Sequence, residues 1–274
     1  MSSGKSHILL VGFGNMGRAL AEGWIESESV AAKISVIDPS ADAREQAAKL
    51  GIEAFADPLG IDAHIDIAVL AVKPGMLDEL LRSLPPADMY LSIAAGRSIG
   101  EISGLLGSEA AIVRAMPNTP AAIGQGVTGM CANQVVSAEQ RSLAGSLMNA
   151  IGTVEWLDDE SDMDALTAVS GSGPAYVFLL IETLAAAAVD VGLEPGLARR
   201  LATETVRGAG AYAATTGIDP EVLRQQVTSP GGTTEAALSV LLEADGLKEL
   251  MLTAVRAAKE RSRALGSKQA RPAD

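Results

Sequence analysis

A glycine-rich segment near the beginning of the chain is suited to hold a phosphorylated cofactor. The pattern G-x-G-x-x-G over residues 12–17 directly follows a predicted strand and precedes a predicted helix over Arg18–Ile25. Gly12 permits a tight turn, Gly14 lets the backbone approach a pyrophosphate, and Gly17 lets the helix pack close to the strand. The free N–H groups of the helix then face the anion, so the segment predicts a dinucleotide site, although a glycine-rich turn that binds nothing has the same pattern. The predicted cofactor contacts here are Gly12, Phe13, Gly14, Asn15, Met16 and Gly17.

An acidic residue follows the second predicted strand. Asp38 lies about 20 residues beyond the last glycine, where a carboxylate can accept a hydrogen bond from the adenosine ribose, which favours NAD(H). Ser40 and Arg44 are near enough to reach a 2′-phosphate, however, and Asp38 could equally serve only to begin a turn or cap a helix. We predict a pyridine nucleotide contacted by Asp38 and Ser40, and the choice between NADP(H) and NAD(H) stays open.

Two further segments lie at the carboxyl ends of predicted strands. One follows the fourth strand and the other the fifth, at the sheet edge where ligands bind in open α/β folds. We predict that they line the cofactor groove, although Lys73 could equally be a solvated surface lysine. The predicted contacts in these segments are Ala71, Val72, Lys73, Pro74, Ile93, Ala94 and Ala95.

The elements that must position these residues follow from the order of the apolar runs. From His7 to Leu157, short apolar runs alternate with helical patterns, which is typical of βαβ units that wind a parallel sheet. After the acidic stretch at 158–160 the strand-like runs disappear, and turn signals separate helices. We predict an α/β Rossmann-type domain with a parallel sheet over residues 1–160, followed by an all-α dimerisation domain over residues 161–274.

One predicted helix is apolar on nearly every side. It begins at Pro174 and is capped near Gly192, and few polar residues lie between them. Such a helix must be buried, and a small helical domain can hardly bury it alone. We therefore predict a homodimer, although the helix could also be central within one chain. Because Glu182 and Asp190 interrupt the run, no membrane span is expected.

Composition excludes several other classes of partner. The formal net charge of −13 makes nucleic acid an improbable ligand. The single cysteine, Cys131, excludes an internal disulfide, and the two histidines, His7 and His64, leave no cluster that would bind zinc, so no metal is expected. The polar beginning of the chain lacks the apolar core of a signal peptide, which predicts a cytoplasmic protein.

Five motifs, in this order along nearly the whole chain, closely resemble the pyrroline-5-carboxylate reductases. The motifs are Gly12-Phe13-Gly14-Asn15-Met16-Gly17, Ala71-Val72-Lys73-Pro74, Met116-Pro117-Asn118-Thr119-Pro120, Ser170-Gly171-Ser172-Gly173-Pro174-Ala175-Tyr176 and Thr228-Ser229-Pro230-Gly231-Gly232-Thr233-Thr234. The resemblance implies that hydride from NAD(P)H reduces the C=N bond of 1-pyrroline-5-carboxylate to give L-proline, the last step of proline biosynthesis. It also implies a Rossmann domain with a helical dimerisation domain, sometimes assembled into rings of dimers.

The resemblance also implies roles for particular residues. The substrate carboxylate would be held by Ser229 and by backbone amides around Thr233 and Thr234, and the Thr234 hydroxyl would contact the ring nitrogen as the catalytic group. Two glycines before a helix expose N–H donors to an anion, which agrees with this role, although a threonine there could merely cap the helix. The implied substrate contacts are Ser229, Gly231, Gly232, Thr233 and Thr234, and Asn118 is an implied cofactor contact.

The chain departs from the family pattern after the third strand, and two other functions compete with the reductase. After the third strand the chain has Asp57-Pro58, and a proline cannot donate the hydrogen bond that the family often makes to the ribose, so the contact is lost or moves to Asp57. A β-hydroxyacid dehydrogenase would use a catalytic lysine, but no lysine occurs between Ser161 and Leu247. A regulator that binds NAD(P)H without turnover would not need the loop at 229–234. Both histidines are expected far from the site, so the proton would come with the substrate or from water.

Overall fold

The computed structural model describes residues 6–61 and 63–269. The chain forms two compact units, of which the first takes residues up to Gly171 together with those from Lys259 onward, and the second takes Ser172–Ala258. The structure therefore groups residues 161–171 and the end of the last helix with the sheet, although the sequence analysis assigned both to the helical domain. Specific contacts explain this grouping, since the Ser262 hydroxyl donates to the Asp164 carboxylate over 2.6 Å.

The first unit contains a single sheet of eight strands in the order β3-β2-β1-β4-β5-β6-β7-β8. The strands are β1 (Ser6–Val11), β2 (Ala32–Ile37), β3 (Glu53–Phe55), β4 (Ile67–Leu70), β5 (Tyr90–Ser92), β6 (Ile112–Met116), β7 (Gly126–Ala132) and β8 (Gly152–Trp156). Every neighbouring pair is parallel except β6 and β7. The predicted α/β fold is confirmed, but the sequence analysis did not identify β7 or β8, and β7 departs from the expected parallel order.

Helices connect these strands and make up the second unit. They are α1 (Asn15–Glu26), α2 (Ala41–Lys49), α3 (Leu77–Ser83), α4 (Ile99–Leu106), α5 (Ala138–Asn149), α6 (Met163–Leu166), α7 (Gly173–Asp190), α8 (Pro195–Thr216), α9 (Pro220–Gln226), α10 (Thr233–Leu241) and α11 (Leu247–Gln269). Proline stands in the first turn of α7, α8 and α9, where its missing N–H costs nothing. The predicted helices after residue 171 are confirmed.

The core of the first unit lies on both faces of the sheet. In β4 all four residues are buried, and successive side chains point to opposite faces, so Ile67 and Val69 join one apolar cluster while Ala68 and Leu70 join the other. Trp24 of α1 is 1% exposed, and its indole N–H donates to the carbonyl of Leu147 in α5 over 2.9 Å. The sheet unit thus buries two apolar clusters within its own chain.

The second unit does not bury its apolar residues within one chain. Among residues 172–258, all of which are described, only Ala198 and Ala202 of α8 are buried. Helix α7 has none, and its Phe178 is 62% exposed. Burial of this helix, which its composition predicts, is therefore not met within a single chain.

The same helix passes a composition test for a membrane span. The helical stretch from Glu160 to Asp190 contains an 18-residue window that is long and apolar enough to cross a bilayer, with a mean hydropathy of 1.5 and no buried residue inside the window. This finding differs from the expectation that two acidic residues exclude a span. Because an apolar helix that a second subunit covers has the same length and composition, the absence of a membrane partner stays a prediction.

Candidate active site

The glycine-rich loop between β1 and α1 has the close approaches that its sequence predicts. Gly12 has a φ of +96°, and a Cβ on it would lie 2.5 Å from the carbonyl oxygen of Ala71. A Cβ on Gly17 would collide with the Gly12 carbonyl, whereas one on Gly14 would meet nothing within 4 Å. Gly12 and Gly17 therefore let the loop, the helix and β4 approach one another, and Gly14 leaves open space in front of the helix.

Backbone N–H groups at the beginning of α1 have no hydrogen-bond partner among the described residues. The helix is capped by Gly14, which has no side chain to accept a hydrogen bond. In the described part of the chain, no oxygen accepts from the N–H groups of Asn15 and Met16. Free donors at the positive end of a helix dipole are suited to a pyrophosphate. The loop therefore fits the phosphates of a dinucleotide.

Asp38, at the carboxyl end of β2, contacts this loop directly. Its Oδ2 accepts a hydrogen bond from the Phe13 N–H over 2.7 Å, and its Oδ1 accepts one from the Ser40 N–H over 2.8 Å. Ser40 in turn caps α2 by accepting from Ala43. The turn-forming role that the sequence left open is therefore present, while the predicted contacts of Asp38 and Ser40 with a ribose stay predictions.

The residues after β4 and β5 lie at the same carboxyl edge of the sheet as the glycine-rich loop. The Ala71 N–H donates to the Val11 carbonyl over 2.7 Å, which places Ala71 beside the end of β1. Lys73 and Ala95 are exposed, and Ala94 is buried. Their side of the sheet agrees with a cofactor groove, and the individual contacts of Ala71, Val72, Lys73, Pro74, Ile93, Ala94 and Ala95 stay predictions.

The side chains of Asn118 and Asp57 both form hydrogen bonds with backbone atoms of the first unit. The buried Asn118 amide donates to the Ser170 carbonyl over 3.0 Å and accepts from the Val127 N–H over 2.8 Å. It therefore fixes the backbone after β6, and its cofactor contact stays a prediction. Asp57 accepts from the Leu59 N–H over 2.9 Å and caps a short helical turn that begins at Pro58.

The loop before α10, in the second unit, has a second set of hydrogen-bond donors without partners among the described residues. Gly232 caps the helix without a side chain, so neither threonine after it serves as the cap. The Gly231 N–H donates to the Glu235 carboxylate over 2.7 Å, and the Gly232 N–H donates to the Ser229 carbonyl over 3.0 Å. Within the residues that the structure describes, the backbone N–H groups and hydroxyls of Thr233 and Thr234 have no partner. This loop can receive an anion beside two free hydroxyl groups.

Both histidines lie at the opposite, amino edge of the sheet. The His7 ring contacts the Ser35 hydroxyl over 2.9 Å and the His64 carbonyl over 3.0 Å. His64, Asp66 and Asp88 bring three potential metal-ligand atoms within 4.8 Å of one another, which sequence reasoning missed because separate loops carry them. Their side chains are 68%, 36% and 54% exposed, so water competes for any ion there.

These features define a class of protein. A glycine-rich loop suited to a dinucleotide on a doubly wound sheet, followed by a helical unit with a second loop of free backbone donors, is the arrangement of a two-domain nicotinamide-dependent oxidoreductase. Residues 7–96 match the family described as "NADP oxidoreductase coenzyme F420-dependent". Residues 160–265 match the family described as "Pyrroline-5-carboxylate reductase dimerisation".

Individual relatives narrow this class. The chain is 41% identical to the pyrroline-5-carboxylate reductase of Pseudomonas aeruginosa over 260 residues, which cover 93% of this chain and 95% of that protein. The structure of the reductase from Coxiella burnetii has a TM-score of 0.87 at 39% identity, over 95% of this chain and 98% of that one. The Plasmodium falciparum enzyme, solved with NADP bound, has a TM-score of 0.80 at 31% identity, over the same shares. The chain belongs to the pyrroline-5-carboxylate reductase family.

Proposed function

We propose that this protein reduces the C=N bond of 1-pyrroline-5-carboxylate with NAD(P)H to give L-proline, as the last step of proline biosynthesis. The observation that carries the proposal is the loop before α10, in which the donors of Thr233 and Thr234 are unspent. It occurs in a chain whose relatives over nearly its full length are reductases of that name.

The loop supplies what a small anionic substrate needs. Backbone N–H groups of Thr233 and Thr234 at the first turn of α10 are aligned with the helix dipole and can hold a carboxylate. The hydroxyl of Ser229, on the same loop, can add a third donor. Gly231 has a φ of +73°, a conformation that glycine adopts without strain, so the loop can turn its amides toward one point. Ser229, Gly231, Gly232, Thr233 and Thr234 are the proposed substrate contacts.

The proposed catalytic contribution of the chain is positioning. When bound at the glycine-rich loop, the nicotinamide nucleotide supplies the hydride. The Thr234 hydroxyl donates or accepts a hydrogen bond at the ring nitrogen and thereby fixes the face and orientation of the imine carbon. Because neither histidine is near the carboxyl edge of the sheet, the proton on nitrogen arrives with the substrate or from water.

The family relationship favours this function over the two rivals. The second domain has no lysine between Ser161 and Leu247 that could accept the proton of a β-hydroxyacid. A regulator that only binds the nucleotide would have no use for the unspent donors before α10. Reduction of a cyclic imine needs no such lysine, and it uses the free donors before α10 to hold the substrate.

We also propose that the protein is a homodimer in the cytoplasm. Residues 160–265 match the dimerisation domain of the family, and the helices of this domain leave large apolar side chains uncovered within one chain. Burial of these side chains against a second copy would supply the missing core. A ring of such dimers, as in some family members, is the larger assembly to look for.

The loss of reduced-nicotinamide absorbance tests the function. We expect rapid oxidation with 1-pyrroline-5-carboxylate and none with a 2-keto acid. Thr234→Val, which keeps the shape but removes the hydroxyl, should lower kcat/KM at least tenfold, because loss of a positioned hydrogen bond to the reacting group costs about 1.4 kcal/mol or more. Thr234→Ser, which keeps the hydroxyl, is the matched control and should retain most activity. Full kcat/KM in Thr234→Val would contradict the role of the hydroxyl, and no imine reduction by the parent protein would contradict the function.

A further inference from the structure

We infer that Asp38 makes this protein prefer NADH to NADPH, because two backbone N–H groups hold its carboxylate where the adenosine ribose must lie. The inference rests on the proposed function for the identity of the cofactor as a nicotinamide nucleotide. It goes beyond that function by naming which of the two nucleotides is bound and which residue decides.

The position of Asp38 is set by contacts with three separate elements. Its backbone N–H donates to the carbonyl of Phe55 in β3 over 3.0 Å. Its side-chain Oδ2 accepts from Phe13 in the glycine-rich loop over 2.7 Å, and its Oδ1 accepts from Ser40 ahead of α2 over 2.8 Å. A rotation about χ1 would break both side-chain bonds. The two bonds therefore oppose movement of the carboxylate away from this position.

The contact with Phe13 also fixes the distance between the carboxylate and the phosphate loop. Phe13 lies between Gly12 and Gly14, so the residue that determines the ribose environment is bonded to the loop that holds the pyrophosphate. A carboxylate has about four lone-pair positions, so both oxygens can still accept from ribose hydroxyls. A 2′-phosphate, by contrast, would bring about two negative charges to a fixed negative charge, and like charges at short range repel.

Arg44 is the nearby cation that could favour the opposite preference. Its Nη1 donates to the carbonyls of Asp38 and Pro39 over 2.8 and 2.9 Å. These bonds hold the guanidinium against the backbone of the turn and help to fix Asp38. We therefore assign Arg44 to the support of the turn and not to a phosphate, and this assignment is separately testable.

Direct binding separates the preference from catalysis. Calorimetric titration of the protein without substrate should give a Kd for NADH at least tenfold lower than the Kd for NADPH, and 5′-AMP should compete better than 2′,5′-ADP. In Asp38→Asn, which keeps the shape and one acceptor, the ratio of the two Kd values should shift at least tenfold toward NADPH. Asp42→Asn removes the same charge from an exposed position in the first turn of α2 and should leave the ratio unchanged.

Each alternative outcome has a distinct meaning. Equal binding of the two nucleotides, or tighter binding of NADPH by the parent protein, would overturn the preference and leave the reductase function intact. A selective loss of NADPH binding by tenfold or more in Arg44→Gln would show a phosphate site at Arg44 and would also overturn it. NADH-selective binding without imine reduction would support the preference and contradict the proposed function. If Asp38→Asn unfolds, the titrations of the parent protein still decide.

Discussion

The two units of this chain differ in how far they bury their apolar side chains. In the first unit, strand β4 is buried along its whole length and Trp24 is 1% exposed. In the second unit, α7 is the most apolar helix yet has no buried residue, and the structure describes every residue in it. The first unit can be stable by itself, since its core is complete within one chain. The second unit leaves its large apolar side chains uncovered within one chain, and substitutions in each unit test this difference.

The largest effect, on the free energy of unfolding, is expected in the buried core of the first unit. Trp24→Ala would empty a large buried site and remove the hydrogen bond to Leu147, and we expect a loss of about 3–5 kcal/mol in the free energy of unfolding. Denaturant titration of the full chain measures this loss. Trp24→Phe, which refills most of the volume, should recover part of it. A loss below about 1 kcal/mol for Trp24→Ala would show that this core is not close-packed.

A smaller effect is expected in the second unit, and on assembly instead of folding. Phe178 of α7 is 62% exposed within one chain, and Phe178→Asp should raise the dissociation constant of the proposed dimer at least tenfold because a charge would be buried at the proposed interface. Sedimentation velocity over a range of concentrations measures this change. The matched control is Leu59→Asp, since Leu59 is 94% exposed in the first unit and should leave the dimer unchanged. An unchanged dimer in Phe178→Asp would place the interface elsewhere.

The smallest effect concerns a titrating group in the first unit. Burial, with the nearby negative charge of Glu160 adding to it and Arg114 opposing it, raises the pKa of Cys131 from its ordinary value of 9.0 to about 11. The folded protein therefore holds the thiol proton more tightly than the unfolded chain, so its stabilising contribution is present below pH 9.0 and is lost as the pH rises toward about 11.

This loss is measurable as a difference between two proteins. At pH 9 the parent protein should lose roughly half a kcal/mol relative to Cys131→Ala, beyond their offset at pH 7, by proton linkage. Urea unfolding of both proteins at pH 7, 8 and 9 gives the difference. A constant offset across this range would contradict the raised pKa.

Local patterns carried most of what the sequence could predict. The glycine-rich loop, the proline at the beginning of α7 and the helix that follows the glycines at 231–232 depend on residues close together in the chain, and the structure contains all three. Strand β7 was missed because Gly126, Thr128 and Gly129 interrupt its apolar residues. Its antiparallel direction depends on the path of the chain after β6, which no local pattern specifies.

Long-range contacts account for what could not be predicted at the candidate site. The spacing after the glycines identified Asp38 as a ribose contact, but its bond to Phe13 joins the loops that follow two strands and required the folded sheet. The amide of Asn118 is bonded to Ser170 and Val127, and neither partner is implied by the motif around it. Sequence also predicted an apolar helix that one small helical domain could hardly bury, and the structure leaves this helix without a buried residue within its own chain.

The return of α11 to the sheet unit has a consequence for the order of synthesis. The side chain of Ser262 is bonded to Asp164, and Gly266 lies close to the carbonyl of Gly96, so the first unit is finished by residues that leave the ribosome after the entire second unit. The sheet can begin to form early, but its last contacts wait until the helical unit has been made. A newly made chain therefore has its apolar helices exposed to solvent before either unit is complete, and it is in this interval that early pairing with a second copy would be of most value.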